Sequence, residues 1–376
     1  MIYLDHAATT PVDPEVVETM SRCMAEDWFN PSAPYALSGR ARRRLRTARE
    51  RIAGMLGARP QGVVFTSGGS EANNQALLIA RGGHAVVGAT EHPSVLEAAR
   101  SLCREVTLVP PDREGRISPQ AVTAALRADT RLVSVQLANN ETGVLQPIAE
   151  IAAAVHRRGI LLHTDAVQAF GRVPIDMQAL SVDLLSLSGH KLYGPRGIGA
   201  LVVRRGILPP PLILGGGQEF GLRSGTENVP GAAGLAAAAE IAERLMEAEA
   251  ARETVLMEGF IQAVKQRCPD CRVLGEGAGR LPGVAALLLP ALEAEEAIAR
   301  LDGMGVLLSG KAACATREAG PSHVYLAMGL SEEQARRVIR VSLGRATHEE
   351  DLRFAAQAIA EVYGFDKAPS GAASRH

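Results

Sequence analysis

Between residues 62 and 203 short apolar runs alternate with longer amphipathic ones. GVVFTS (62–67), HAVVGA (84–89), EVTLVP (105–110), RLVSVQLA (131–138), GILLHTD (159–165), VDLLSL (182–187) and IGALVV (198–203) predict strands. Runs such as VDLLSL are too uniformly apolar for a half-exposed strand, which places them in a sheet buried on both faces. PQAVTAALRA and IAEIAAAVHRR, between strands, carry apolar residues at helical spacing. This βα rhythm predicts an α/β fold built on a mainly parallel sheet, and such sheets take ligands outside the carboxyl ends of their strands.

The pattern changes further on. Residues 231–267 read as one or two long helices. Beyond them GVAALLLP, GVLLSG and IRVSLG predict strands, and EEDLRFAAQAIAEVYG a closing helix. The expected division is a large domain over 16–250 and a smaller α+β domain made of 1–15 with 251–365. The tail DKAPSGAASRH (366–376) is small and polar, and is expected to be disordered. No internal repeat is present.

Composition narrows the function classes. The 376 residues are 47% hydrophobic, and 40 Lys+Arg against 41 Asp+Glu leave a formal net charge of −1. That balance gives no reason to expect a nucleic-acid surface. The cluster GRARRRLR (39–46) reads as a solvated or interface face of a helix, with contact to tRNA or an acidic partner as the alternative. MIYLDHAATT lacks a signal peptide's apolar core, and runs such as VAALLLPAL and AAGLAAAAEIA are too short or too interrupted to span a bilayer. A cytoplasmic protein without membrane contact is expected. Five cysteines, odd in number and widely spread, do not make a disulfide scaffold. Cys268 and Cys271 form a lone CxxC with no second pair, so no metal centre is expected.

Candidate chemistry collects at the strand ends. Lys191, in SLSGHKLYGPRG, follows a buried strand inside a glycine-rich turn. A lysine in such a turn can be a solvated loop residue; held in an apolar site it loses pKa and attacks a carbonyl to form a Schiff base. SGGSEANN puts two glycines before Ser70 at a helix start, which is either an ordinary cap or a phosphate cradle. His92 precedes a helix in EHPSVLEAA, and Asn139 and Asn140 sit where a strand meets a loop. Asp165 ends the apolar strand ILLHTD, with Gln168 three residues on. A buried carboxylate needs a cation or several donors, and a protonated ring nitrogen serves. A phosphate cradle, an anion for a pyridinium, a ring that can stack, amide donors and a lysine are together the parts that hold pyridoxal 5′-phosphate.

YLDHAATTPVDPEV, FTSGGSEANN, TEHPSVL, NNETGVLQPI, HTDAVQAFGRVPID, DLLSLSGHKLYGPRGIGAL, GGGQEFGLRSGTENV and IRVSLGR occur in that order. They resemble the NifS/IscS-type cysteine desulfurases, of the class V branch of fold type I pyridoxal-phosphate enzymes, from about residue 2 to 363. The resemblance implies that Lys191 is the Schiff-base lysine, His92 the stacked histidine and Asp165 the acid at the pyridine nitrogen. It places Asn140 and Gln168 near the ring and its phenolic oxygen, and Ser70, Ser188 and His190 on the phosphate. Thr226 would reach the phosphate of a neighbouring subunit, implying a homodimer with shared sites, and Arg340 would clamp the carboxylate of L-cysteine.

Cys314, seven residues before Pro321, matches the loop cysteine that takes up sulfur as a persulfide for an acceptor protein in iron–sulfur cluster, tRNA-thiolation or cofactor pathways. The chain departs from the family in two places. Lys311-Ala312-Ala313-Cys314 replaces the usual Gly-Ser-Ala-Cys, stiffening the approach and adding a charge that lowers the thiol pKa. NPSAPYALSG has Tyr35 and Ala36 where a histidine is usual. Two alternatives stand beside the desulfurase reading. One is another class V enzyme, a selenocysteine lyase or aminotransferase that does not need Cys314; the other is a catalytically quiet partner using the fold as a platform.

Overall fold

The computed structural model describes residues 1–311 and 320–365, so Cys314 and the 366–376 tail lie outside the described residues. In chain order the strands are β1 (Ile2–Tyr3), β2 (Val63–Thr66), β3 (His84–Gly88), β4 (Glu105–Val109), β5 (Thr130–Ser134) and β6 (Leu161–Asp165). There follow β7 (Leu184–Ser188), β8 (Gly199–Val203), β9 (Arg272–Leu274), β10 (Val284–Leu288), β11 (Val306–Leu307) and β12 (Val338–Ser342). The helices used below are α1 (Pro14–Glu26), α2 (Ser38–Met55), α3 (Gly69–Leu77), α4 (Pro93–Leu102), α5 (Pro119–Ala125), α6 (Ile148–His156) and α7 (Val229–Arg267).

Seven strands form one sheet in the order β2-β8-β7-β6-β5-β3-β4. The five strands β4, β3, β5, β6 and β7 are parallel; β8 alone is reversed, pairing antiparallel with both β7 and the edge strand β2, which runs in the same direction as the five. β2, β3, β7 and β8 are buried at every position, as their unbroken apolar runs require of a sheet covered on both faces. Two histidines break that apolar layer, each held by hydroxyls on both neighbouring strands. His84 lies 2.8 Å from both Thr107 Oγ1 and Thr130 Oγ1, and His163 lies between Ser134 Oγ (2.8 Å) and Ser186 Oγ (2.9 Å). Burial holds both imidazoles below their ordinary pKa.

The final third forms a three-stranded antiparallel sheet, β12-β10-β9, beside the parallel pair β1–β11. Its core (Phe260, Leu287, Ile339, Ile359 and neighbours) is separate from the one under the seven-stranded sheet. The 39-residue helix α7 contributes to both: Ala232–Ala242 pack into the first, Met257–Val264 into the second. Leu4, near the N-terminus, joins the second core. Among the described residues no helix is long and apolar enough to cross a membrane.

Candidate active site

The carboxyl ends of β6 and β7 and the first turns of α3 and α4 face one cavity of about 310 Å³. It gathers Ser70, His92, Asn140, Asp165, Gln168, Ser188, His190, Lys191 and Arg340, residues spread over 271 positions of sequence, from 70 to 340. Thr226 is not among the residues lining this cavity; it is exposed in the loop before α7.

Each residue is aimed by its own local structure. His92 is the N-cap of α4, with Pro93 in the helix's first turn. Its Nδ1 accepts the Ser94 backbone N–H at 3.1 Å and lies 2.7 Å from Ser94 Oγ. An Nδ1 that accepts leaves the proton of the neutral ring on Nε2. Burial pulls this imidazole's pKa down, Asp165 opposes that, and Lys191 and His323 add to it. The capping and the functional readings of His92 are therefore compatible: the cap is what fixes the ring.

Asp165 closes β6 and is 7% exposed. Its Oδ1 accepts the Val167 N–H at 2.9 Å and its Oδ2 the Asn73 Nδ2–H at 2.7 Å, so both oxygens are directed. Lys191 ends the tight turn after β7 and donates to the carbonyls of Ala7 (2.6 Å) and Ala8 (2.7 Å). Gln168 Nε2 donates to the same Ala7 carbonyl at 3.0 Å. The N-terminal segment is thus one wall of the cavity. Thr10 straps the lysine turn from outside, donating through Oγ1 to the His190 carbonyl (3.0 Å) and accepting the Tyr193 N–H (2.8 Å). Tyr193 needs that support, since its φ of 63° is left-handed for a bulky residue.

The residues expected from the sequence to meet a phosphate, Ser70 at the start of α3, Ser188 and His190, all line this cavity. A Cβ on Gly69 would come 2.7 Å from Val167 Cγ2, so only glycine leaves this turn where it is. Burial, aided by Lys191 and Arg196, lowers His190 to a pKa of about 4, which keeps the imidazole neutral beside the lysine.

Arg340 enters from β12 in the smaller sheet and is 1% exposed. It donates to the Asn140 carbonyl (2.8 Å) and pairs with Asp5 (2.6 Å), while its buried Nε has no hydrogen-bond partner. Lys311 donates to the Gly320 carbonyl at 3.1 Å, joining the two ends of the segment that contains Cys314. Sequence reasoning missed Asp5, Asn73, Ser94 and Thr10. All four lie inside motifs quoted above, yet none shows in sequence what it faces.

The chain matches the family model described as aminotransferase class-V over residues 2–354. It is 40% identical over 370 residues to a protein named cysteine desulfurase IscS from Dictyoglomus turgidum, covering 96% of this chain and 94% of that one. Its structure is similar to a NifS-like protein from Rickettsia africae, with a TM-score of 0.89, 31% identity and coverage of 97% of this chain and 99% of that chain. It is also similar to a structure described as SspA in complex with cysteine, with a TM-score of 0.81, 36% identity and coverage of 91% and 99%.

Proposed function

The chain belongs to the class-V aminotransferase family, and on that premise we propose how its residues carry out a pyridoxal-phosphate-dependent cysteine desulfurase reaction. The activity converts L-cysteine to L-alanine and leaves the sulfur for transfer. The relatives named above favour it over a selenocysteine lyase or an aminotransferase. The observation that carries the assignment of roles is the meeting of Lys191, Asp165 and Arg340 at one cavity.

These residues fit the cofactor. Asp165, with both oxygens directed, suits a protonated ring nitrogen, and His92 is fixed beside it. The open first turn of α3 with Ser70, Ser188 and the neutral His190 suits a phosphate. When bound, pyridoxal 5′-phosphate supplies an electron sink that makes the Cβ–Sγ bond of cysteine cleavable. Lys191 tethers it until the substrate amine takes its place, and Nζ then accepts the Cα proton. The carbonyls of Ala7 and Ala8 keep that amine on the cavity wall. Arg340, which lines the cavity, holds the substrate carboxylate through its guanidinium. Asn140 and Gln168, which line the same cavity, would stand near the ring and its phenolic oxygen.

The Cys314 thiolate attacks the substrate sulfur: an S–S bond forms, the Cβ–S bond breaks, and the electron pair left on carbon takes up a proton to give alanine. The persulfide then passes to an acceptor protein. The working unit is a cytoplasmic homodimer in which Thr226 completes the partner's phosphate site. Exposed apolar residues just before Thr226, among them Leu208, Leu214 and Phe220, support a second copy covering this face. The reading also divides the chain into a cofactor-holding body, 16–250, and a smaller one made of 1–15 with 251–365.

Alanine and sulfide release from L-cysteine, with and without a reductant, tests the reaction. Cys314→Ala tests the sulfur relay. It should keep the cofactor's colour and its absorbance change on adding L-cysteine, yet form no persulfide and release little sulfide. Full turnover in that variant would refute the role of Cys314.

A further inference from the structure

Asn73 lies in α3, is 1% exposed and lines the cavity. Its amide has only one workable orientation, because the Asp165 carboxylate accepts hydrogen bonds and donates none. Nδ2 therefore faces Asp165 Oδ2 at 2.7 Å, and its second proton goes to Ser94 Oγ at 2.9 Å. With an oxygen lone pair of Ser94 thus engaged, the hydroxyl proton turns to His92 Nδ1, 2.7 Å away. One line of hydrogen bonds runs from the end of β6 through α3 to the cap of α4.

We propose that Asn73 is a positioning residue that fixes Asp165 and His92 as a single unit, setting the direction of the carboxylate and, through Ser94 Oγ, adding a second hold on the imidazole that the Ser94 N–H already caps. The inference rests on the roles proposed above for Asp165 and His92. Only asparagine supplies two N–H donors on one atom at this reach. An aspartate would set a second carboxylate against Asp165, and an apolar residue would leave Oδ2 with no donor from α3. The arrangement has a visible cost, since Asn73 Oδ1 is buried with no hydrogen-bond partner. The Asp165 carboxylate dictates that sacrifice. Joining α3 to α4 does not require it, because Asn74 already donates to the Ser70 carbonyl (2.8 Å) and the Ser94 carbonyl (3.4 Å).

The test uses the cofactor-loaded enzyme and reads visible absorbance against pH, visible circular dichroism and steady-state kinetics. Losing a donor to a charged group should lower kcat by roughly ten- to a hundredfold in Asn73→Ala. KM for L-cysteine should stay within about threefold, because Arg340 is untouched. The circular dichroism of the bound cofactor should fall as its ring loses a fixed orientation. Asn73→Asp is nearly isosteric and protects the test against misfolding. Two carboxyls in contact share a proton, so the cofactor's absorbance should gain a titration step that the parent lacks. Ser94→Ala, which removes the Oγ relay between Asn73 and His92 while the backbone N–H still caps Nδ1 and Asn73 still donates to Asp165, should lower kcat without adding that step. Asn73 variants that melt earlier but keep the parent's spectrum, titration and kcat would reduce Asn73 to packing and overturn the inference. Asp165→Asn separates the two levels. If it alters the spectrum while the Asn73 variants do not, only this inference falls; if it leaves the spectrum intact, the role given to Asp165 falls and takes the inference with it.

Discussion

The two walls of the cavity are built on different terms. On the rim of the seven-stranded sheet Asp165 has a donor on each oxygen, His92 is held twice by Ser94, and Lys191 and Gln168 both donate to the N-terminal segment. Opposite them, the smaller sheet offers Arg340, tied to Asp5 and the Asn140 carbonyl but with a buried Nε that makes no hydrogen bond. On the roles proposed above, the difference follows from the lifetime of what each wall would hold. A cofactor kept through many turnovers rewards groups that cannot reorient. A substrate exchanged every turnover would meet a guanidinium that lines the cavity and is anchored from behind by Asp5 and the Asn140 carbonyl.

The comparison is broken most severely at the rim. Lys191→Ala should abolish alanine formation, and borohydride should no longer fix the cofactor to the protein. In the parent the labelled peptide should contain Lys191, and label on any other lysine would refute the assignment. On the opposite wall the loss should be one of affinity. Arg340→Lys keeps the charge but gives up the planar fork, so KM for L-cysteine should rise roughly tenfold or more with the cofactor spectrum unchanged. Cysteamine, which has no carboxylate, is the control: its binding should respond little to the same substitution. An equal effect on both ligands would mean that Arg340 does not read the carboxylate.

A third variant asks whether the rim is complete in one chain. Thr226 is exposed and outside the cavity, which suits a residue serving a neighbour. Thr226→Ala should weaken cofactor retention by roughly ten- to a hundredfold, the worth of one hydrogen bond to a charged group. A monomer that holds cofactor with full affinity would refute the shared site.

How far the sequence foretold this contrast depends on the distance between partners. β7 and β8 and the lysine turn between them were legible because an apolar run bounded by glycines needs no information from elsewhere. β1 and β9, two and three residues long, show no periodicity and were missed. The antiparallel course of β8 follows from the short connection 189–198, since a parallel neighbour needs a longer crossover. Residues that bear chemistry stood out at strand ends, whereas those that hold them did not. Asn73 meets Asp165 across 92 positions, and Asp5 meets Arg340 across 335. Nothing local marks an asparagine inside a helix, or an aspartate near a terminus, as facing a particular charge.

The smallest effect concerns the floor of the rim. His163 sits between Ser134 and Ser186 in the middle of the sheet, and burial lowers its pKa to about 3. A neutral imidazole offers one donor and one acceptor to the two hydroxyls; a protonated ring has two donors and must force one serine to turn. In the unfolded chain the same histidine titrates near 6.5. Below that pH the unfolded state binds a proton that the folded state refuses, so stability is full above about pH 6.5 and declines as pH falls toward 3. Between pH 8 and pH 5 this one group should remove about 2 kcal/mol, from the gap between the two pKa values. His6 and His190, lowered to about 4 by burial, act in the same direction. Denaturant midpoints measured at both pH values for the parent and for His163→Gln check the sign and the size. The variant's stability should fall less between pH 8 and pH 5, whatever its stability at pH 8, and an identical fall would mean that His163 takes up its proton in the folded sheet.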